Sequence, residues 1–188
     1  MQPGRPTDLS TPEPGWVDQL TLKDGRLVRF RHVQPSDEGL ITEAISTASR
    51  ETLLHRFFSP IRKVSPELLR KMLDIDRQKE TCIVGLSQSE PKTRLICGAR
   101  YIKLPKPGAA EIALTVHDDF QRRGLGTFLL KLLIKLGRAE GLRWFEADVM
   151  SSNTGMLKLL ERAGPPTADW RLGLDVKHLV LDLSKTKS

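Results

Sequence analysis

Apolar residues first recur at a spacing of two in DQLTLK and RLVRFRHV, on either side of Asp24-Gly25. That alternation is a strand's, and the Asp-Gly dipeptide favours the positive φ angles of a two-residue hairpin turn. The pattern predicts an antiparallel pair in which Val28, Phe30 and His32 share one face and Arg29 and Arg31 the other. The period then lengthens. Ser36, after Pro35, reads as an N-cap with Asp37 and Glu38 in the first turn, and Leu40, Ile41, Ala44 and Ile45 form one helical stripe. A second helix runs from Ser49 to just before Pro60, with Phe57 and Phe58 as core residues. Ser65-Pro66-Glu67 opens a third, whose Leu68, Leu69, Met72 and Leu73 face inward. Alternation returns in residues 81–86 and 94–104, joined by a polar connection containing Pro91, and Lys106-Pro107-Gly108 turns the chain into the next strand.

Residues 110–126 organise the rest. Ala110, Ile112, Leu114 and Val116 alternate with Glu111, Ala113 and Thr115. A glycine-bearing turn then passes into a helix with Leu125, Phe128, Leu129, Leu132, Leu133 and Leu136 on one face. Gly141 reads as the residue just past that helix, with Lys135 and Arg138 complementing its carboxyl end. Phe145, Ala147 and Val149 mark a strand over 143–149. Strand, helix, strand with a single crossover predicts a parallel pair and a site at the carboxyl ends of its strands. Ser151-Ser152-Asn153 falls at that end, before a short helix carrying Met156, Leu157, Leu159 and Leu160 that Gly164-Pro165-Pro166 stops. Two strands between about 169 and 183 close the sheet. Residues 1–15, with four prolines, read as a loose tail; order is expected from about Trp16, and 185–188 read as solvated tail. One α/β domain over 16–184 follows.

Charge and composition narrow the chemistry. A chain of 188 residues suits a single core, and its 39% hydrophobic and 28% charged content are those of a globular protein. No apolar run approaches the ~20 residues of a membrane span, and the amino end lacks a signal or transit pattern, so a cytoplasmic location is expected. The net charge of +7 invites a nucleic-acid reading, but 30 basic residues are interleaved with 23 acidic ones, and one tyrosine with three tryptophans leaves little for base stacking. A phosphate-bearing ligand or an acidic partner accounts for the charge more simply. Cys82 and Cys97 form no C-x-x-C pair and read as buried thiols; His32, His55, His117 and His178 show no metal-ligand spacing, so no metal is expected.

The turn itself carries chemistry. The first amides of a helix lack intrahelical acceptors and sit at the positive end of its dipole, so phosphate fits there. Gly124 and Gly126 leave the main chain open to a bulky anion, and Arg122 and Arg123 add charge. Neither a Walker loop nor a dinucleotide fingerprint is present.

Gln121-x-x-Gly124-x-Gly126, set between AEIALTV and a leucine-faced helix, resembles the acyl-CoA signature of the GNAT (Gcn5-related) N-acetyltransferases. LKDGRLVRFRHVQPSDE, SRETLLHRFFSP and MSSNTGMLKLLERAG extend the resemblance, over roughly residues 20–164, to the acetyltransferase domain of bacterial Pat-type protein lysine acetyltransferases. It implies a mixed, mostly antiparallel sheet with one parallel, splayed strand pair and helices on both faces. It also implies acetyl-CoA as co-substrate. The pyrophosphate would meet Gln121 and the amides of Arg122, Arg123, Gly124, Leu125, Gly126 and Thr127, and the pantetheine arm would run beside Leu114 and Val116, with Asn153 and Met156 reaching toward it. Asn153 also suits a simple helix cap. The helices between Ser36 and Asp76 would wall the acceptor groove.

A lysine with a pKa near 10.4 is neutral in only about one molecule per few thousand at pH 7, so transfer to it needs a base. By resemblance that base is Glu111; read without it, Glu111 is a carboxylate on a strand's polar face. His117 shares that face but lies about 20 Å away at ~3.3 Å per residue, too far for the same proton. Relatives often carry a tyrosine acid on the helix after the asparagine; NTGMLKLLERAG has none, and Tyr101 is on another strand. The acceptor implied is a protein lysine. A small-molecule amine, or acyl-CoA sensing without transfer, are the alternatives.

Overall fold

The computed structural model describes residues 15, 17–61, 64–89, 92–171 and 175–186. Residues 1–14 of the expected amino-terminal tail, Trp16 as the expected start of order, the Pro91 connection and residues 187–188 lie outside them. Eight strands form one sheet: β1 (Asp18–Thr21), β2 (Leu27–His32), β3 (Glu80–Ser89), β4 (Lys92–Lys103), β5 (Ala109–Val116), β6 (Trp144–Met150), β7 (Thr167–Arg171) and β8 (Val176–Asp182). Their spatial order is β1-β2-β3-β4-β5-β6-β8-β7. Every neighbouring pair is antiparallel except β5 and β6. β1–β2, β3–β4, β4–β5 and β7–β8 follow one another directly in the chain as antiparallel neighbours, helices intervene between β2 and β3, and α4 (Leu125–Ala139) carries the chain from β5 back to the start of β6, as a parallel pair requires.

The two faces of the sheet carry two cores. On one face α1 (Glu38–Thr47), α2 (Arg50–Phe57) and α3 (Pro66–Leu73) cover Val33, Val84 and Leu86 with Ile41, Ile45 and Leu53. On the other, α4 and α5 (Thr154–Ala163) cover Phe30, Ile112 and Phe145 with Leu129, Leu133 and Leu160. Ser49 and Ser65 cap α2 and α3, accepting the amides of Thr52 and Leu68 at 3.1 Å each, and Gly141 takes φ +78° just past α4.

Several local expectations give way to packing. The first hairpin has a three-residue loop, Lys23-Asp24-Gly25, closed by the Leu22 amide on the Arg26 carbonyl at 2.9 Å, with Gly25 at φ +85°. Ser36 does not cap α1. Asp37 does more: its buried carboxylate accepts the Gln34 amide at 2.8 Å and Arg31 at 2.7 and 2.6 Å, drawing Pro35–Asp37 into a 3-10 turn ahead of the helix. The inward stripe of α3 is only half-buried, and Phe58, at the left-handed end of α2 with φ +54°, is 46% exposed rather than core. In α4, Leu130 and Ile134 are as buried as Leu129 and Leu133, because the helix lies among β4, β5 and α5. The packed chain also continues past Ser184: Leu183–Lys185 form a 3-10 turn, and Thr186 is buried.

Candidate active site

β5 and β6 pair at Ala109↔Trp144, Ala110↔Phe145 and Glu111↔Glu146, and there the ladder stops. Both strands run on, to Val116 and Met150, each still paired on its far side with β4 or β8. The His117 amide bonds the Ile96 carbonyl of β4 at 2.8 Å. By the alternation of an antiparallel ladder, the backbone of Ile112, Leu114 and Val116 therefore turns toward the gap. One of these groups is already engaged: Gln121 Nε2 donates to the Val116 carbonyl and to Thr52 Oγ1, at 3.1 Å each. Gln121 thus fastens the turn to β5 and α2.

Two left-handed residues, Arg122 at φ +58° and Gly124 at φ +89°, bend the chain into α4. Phe128 is the first residue there whose amide meets a carbonyl, that of Gly124 at 3.0 Å. Among the described residues nothing accepts the six amides of residues 122–127, and no side chain caps α4. A Cβ at Gly124 would meet no atom within 4 Å, so the space beside it is open. One at Gly126 would touch Leu159 at 3.4 Å, so this glycine serves the approach of α5 as well.

The gap and the turn open into one cleft of about 580 Å³. Of the residues the sequence assigned to the coenzyme, Leu114, Val116, Gln121, Arg122, Gly124, Gly126, Thr127, Asn153 and Met156 line it. The side chains of Arg123 and Leu125 do not: Arg123 pairs with Asp24 at 2.7 Å and bonds the Asp119 carbonyl at 3.2 Å, and Leu125 is buried in the core. Only their amides remain available. Asn153 does cap α5, its Oδ1 accepting the Met156 amide at 3.1 Å, while bordering the cleft.

Sequence reasoning missed much of the remaining wall. Lys158 and Arg162, four apart on α5, line the cleft, and that spacing after the Asn153 cap is a signal that could have found them. Thr52, His55 and Arg56 of α2 form the opposite wall, and His55 Nε2 reaches Ser152 Oγ across it at 3.0 Å. No local pattern announces contacts between residues so far apart in sequence. The basic groups outnumber Glu51 and Asp118, which suits a polyanion.

Glu111 stands at the point where the ladder ends, exposed and without an ion pair among the described residues. The register sets Glu146 directly beside it on the same face, a like-charge neighbour the sequence did not reveal. Glu146 in turn faces Lys106 at 3.6 Å and His178 at 3.5 Å, and His178 holds Asp148 at 2.8 Å. Arg56 lies over the same region. Burial pushes its pKa below the ordinary value while the charge of Glu111 acts the other way, and no hydrogen-bond acceptor or carboxylate partners it among the described residues.

The other candidates are spoken for. His117 is buried, its Nδ1 accepting the Asp119 amide at 3.4 Å, which leaves Nε2–H for Thr47 Oγ1 at 3.0 Å. Tyr101 is buried on the α4 face, donates to Glu140, and has its pKa pushed up to about 12 by burial and that carboxylate, so it is no acid for this cleft. Cys97 is buried and Cys82 half-buried; both are free, and burial raises both thiols, Cys82 to about 11. Among the described residues no cluster of His, Cys, Asp and Glu could hold a metal, and no helix is long and apolar enough to cross a membrane.

A mixed sheet whose one parallel pair parts beside a glycine turn defines the acyltransferases of the GNAT class. The chain belongs to the Acetyltransferase (GNAT) family, whose model matches residues 47–164. It is similar to an acetyltransferase of Pseudomonas aeruginosa, 32% identical over 144 residues that cover 77% of this chain and 76% of that protein. It is also similar to the acetyltransferase Pat of Mycolicibacterium smegmatis, 31% identical over 146 residues; these cover 77% of this chain but 43% of Pat, less than half its length. The fold matches the GNAT domain of S. lividans PAT with a TM-score of 0.78 at 24% identity, over 92% of this chain and 99% of that one. It also matches RimL, a ribosomal L7/L12 α-N-protein acetyltransferase solved with coenzyme A, at 0.69 and 16% identity, over 89% and 97%.

Proposed function

We propose that this acetyltransferase takes acetyl-CoA as donor and a protein lysine ε-amine as acceptor, with Glu111 as general base. The observation that carries the reading is the run of amides at 122–127, without acceptors, opening onto a cleft where β5 and β6 have parted. Phosphate oxygens satisfy the amides, and an amide-bearing arm satisfies the backbone of Leu114 and Val116. Lysine is favoured by the relative named Pat and by the carboxylates of Glu146 and Asp148, which share the face of Glu111 and suit a cationic acceptor.

In the reaction Glu111 takes the proton of the ammonium, directly or through water. The neutral nitrogen bonds the thioester carbonyl carbon, and the carbon–sulfur bond breaks. A thiol of pKa near 8.5 leaves readily as thiolate, so no dedicated acid is required. Glu111→Gln is expected to lower kcat by about 10²–10⁴-fold, the worth of a positioned base, while acetyl-CoA binding by calorimetry stays unchanged. An unaltered pH profile of kcat/KM removes Glu111 from the mechanism. Lysine peptides should outperform polyamines, free amino acids and aminoglycosides in an acceptor panel, and the reverse ranking makes the acceptor a small molecule.

A further inference from the structure

We propose that the space behind Thr115 is an acyl pocket and that the enzyme transfers short aliphatic acyl groups longer than acetyl, of the propionyl and butyryl class. The proposal rests on the reading of the cleft as the thioester site. A cavity of about 100 Å³ lies between the sheet and α1 and α2, floored by Val84, Gly98, Ala113 and Thr115 and roofed by Ile45 and Leu53. It meets the cleft at Thr52, Arg56 and Thr115, which border both spaces.

The floor is kept low by the sequence. Gly98 is the ladder partner of Thr115, and a Cβ there would find only the Ile83 carbonyl, at 3.5 Å, so a slot that a side chain could fill stands open. The neck has polar groups to spare: Thr115 Oγ1 is buried without a hydrogen-bond partner, and Arg56 has no acceptor among the described residues. Close-packed interiors leave few such voids, and one several times the ~10–15 Å³ a water needs, walled by hydrocarbon, suits an apolar guest. The guest that enters from the cleft is the acyl chain, its carbonyl at the donors of the neck and its alkyl tail over Ala113 and Gly98. The chemistry balances as for acetyl: Glu111 takes one proton of the ammonium, an acyl–nitrogen bond forms as the acyl–sulfur bond breaks, coenzyme A departs as thiolate, and the second nitrogen proton passes through solvent to that thiolate.

The test measures kcat/KM for acetyl-, propionyl- and butyryl-CoA with one lysine-peptide acceptor, for the full chain and for Gly98→Val. Wild type should use butyryl-CoA within about tenfold of acetyl-CoA, and Gly98→Val should keep acetyl transfer while losing butyryl transfer by about 10–200-fold, the worth of a methylene-sized pocket contact. Ala113→Val, which enters the same volume from β5, should give the same selective loss should Gly98→Val not fold. A wild type active with acetyl-CoA alone overturns the proposal. So does a variant that raises KM for the acceptor equally with every donor, because the cavity then holds the acceptor. Failure to bind acetyl-CoA at all strikes the reading of the cleft itself.

Discussion

Gly124 and Arg122 do the same backbone work by different means. A left-handed φ comes freely to glycine and costs other residues roughly 1–2 kcal/mol. Glycine could be read for this from the sequence, whereas nothing in the run Gln121-Arg122-Arg123 marks the arginine at φ +58°. Because a Cβ at Gly124 meets no neighbour, Gly124→Ala isolates the backbone contribution: about 1–2 kcal/mol lost in chemical denaturation, with no cavity or clash to confuse it. Glu111 was legible only through the resemblance, since a strand's polar face carries many carboxylates. Its neighbour Glu146 lies 35 positions away in sequence and became visible only with the β5–β6 register.

At the scale of elements, α2 is among the helices that the resemblance set along the acceptor groove, while its contacts with the turn before α4 came only with the structure. Its start at Ser49 was read from the sequence, but the element is held by Asp118, which accepts the Ser49 amide and hydroxyl at 2.7 Å each and Thr52 Oγ1 at 2.8 Å. Burial raises the pKa of Asp118, yet these donors outweigh it and hold the group below its ordinary 3.8. Its contribution to stability is therefore complete above pH 3.8 and fades as pH falls through the lower folded value. Asp118→Ala should cost about 1–3 kcal/mol at pH 7 through the unsatisfied donors, and loosen acetyl-CoA binding by freeing α2. The gap in thermal midpoint between wild type and variant should narrow only in strong acid; a gap constant to pH 2 would show that the carboxylate charge is not what holds α2.

For the whole molecule, the described residues after β8 are part of the fold. Arg138 reaches back from α4 to the Leu183 carbonyl at 3.1 Å through Nε and to Thr186 Oγ1 at 2.8 Å through Nη2. A basic residue in the last turn read as a complement to the helix dipole, because its real partners lie 45 and 48 positions on. Arg138→Met should lower stability by about 1–3 kcal/mol in denaturant titration, because the Leu183 carbonyl keeps only its bonds from Thr186 and the guanidinium's charged bonds to both residues are lost, with acetyl-CoA affinity unchanged since the contact lies outside the cleft lining. The sequence alone determined what nearest neighbours decide: the type and order of nearly every element, the serine caps of α2 and α3, and the glycine turn before α4, because periodicity, capping and φ preference act within a few residues. The tertiary structure decided where the β5–β6 ladder stops, that α2 closes the cleft, that Glu146 stands beside Glu111, and that a cavity lies behind Thr115. Each of these depends on contacts between segments far apart along the chain, which local patterns do not encode.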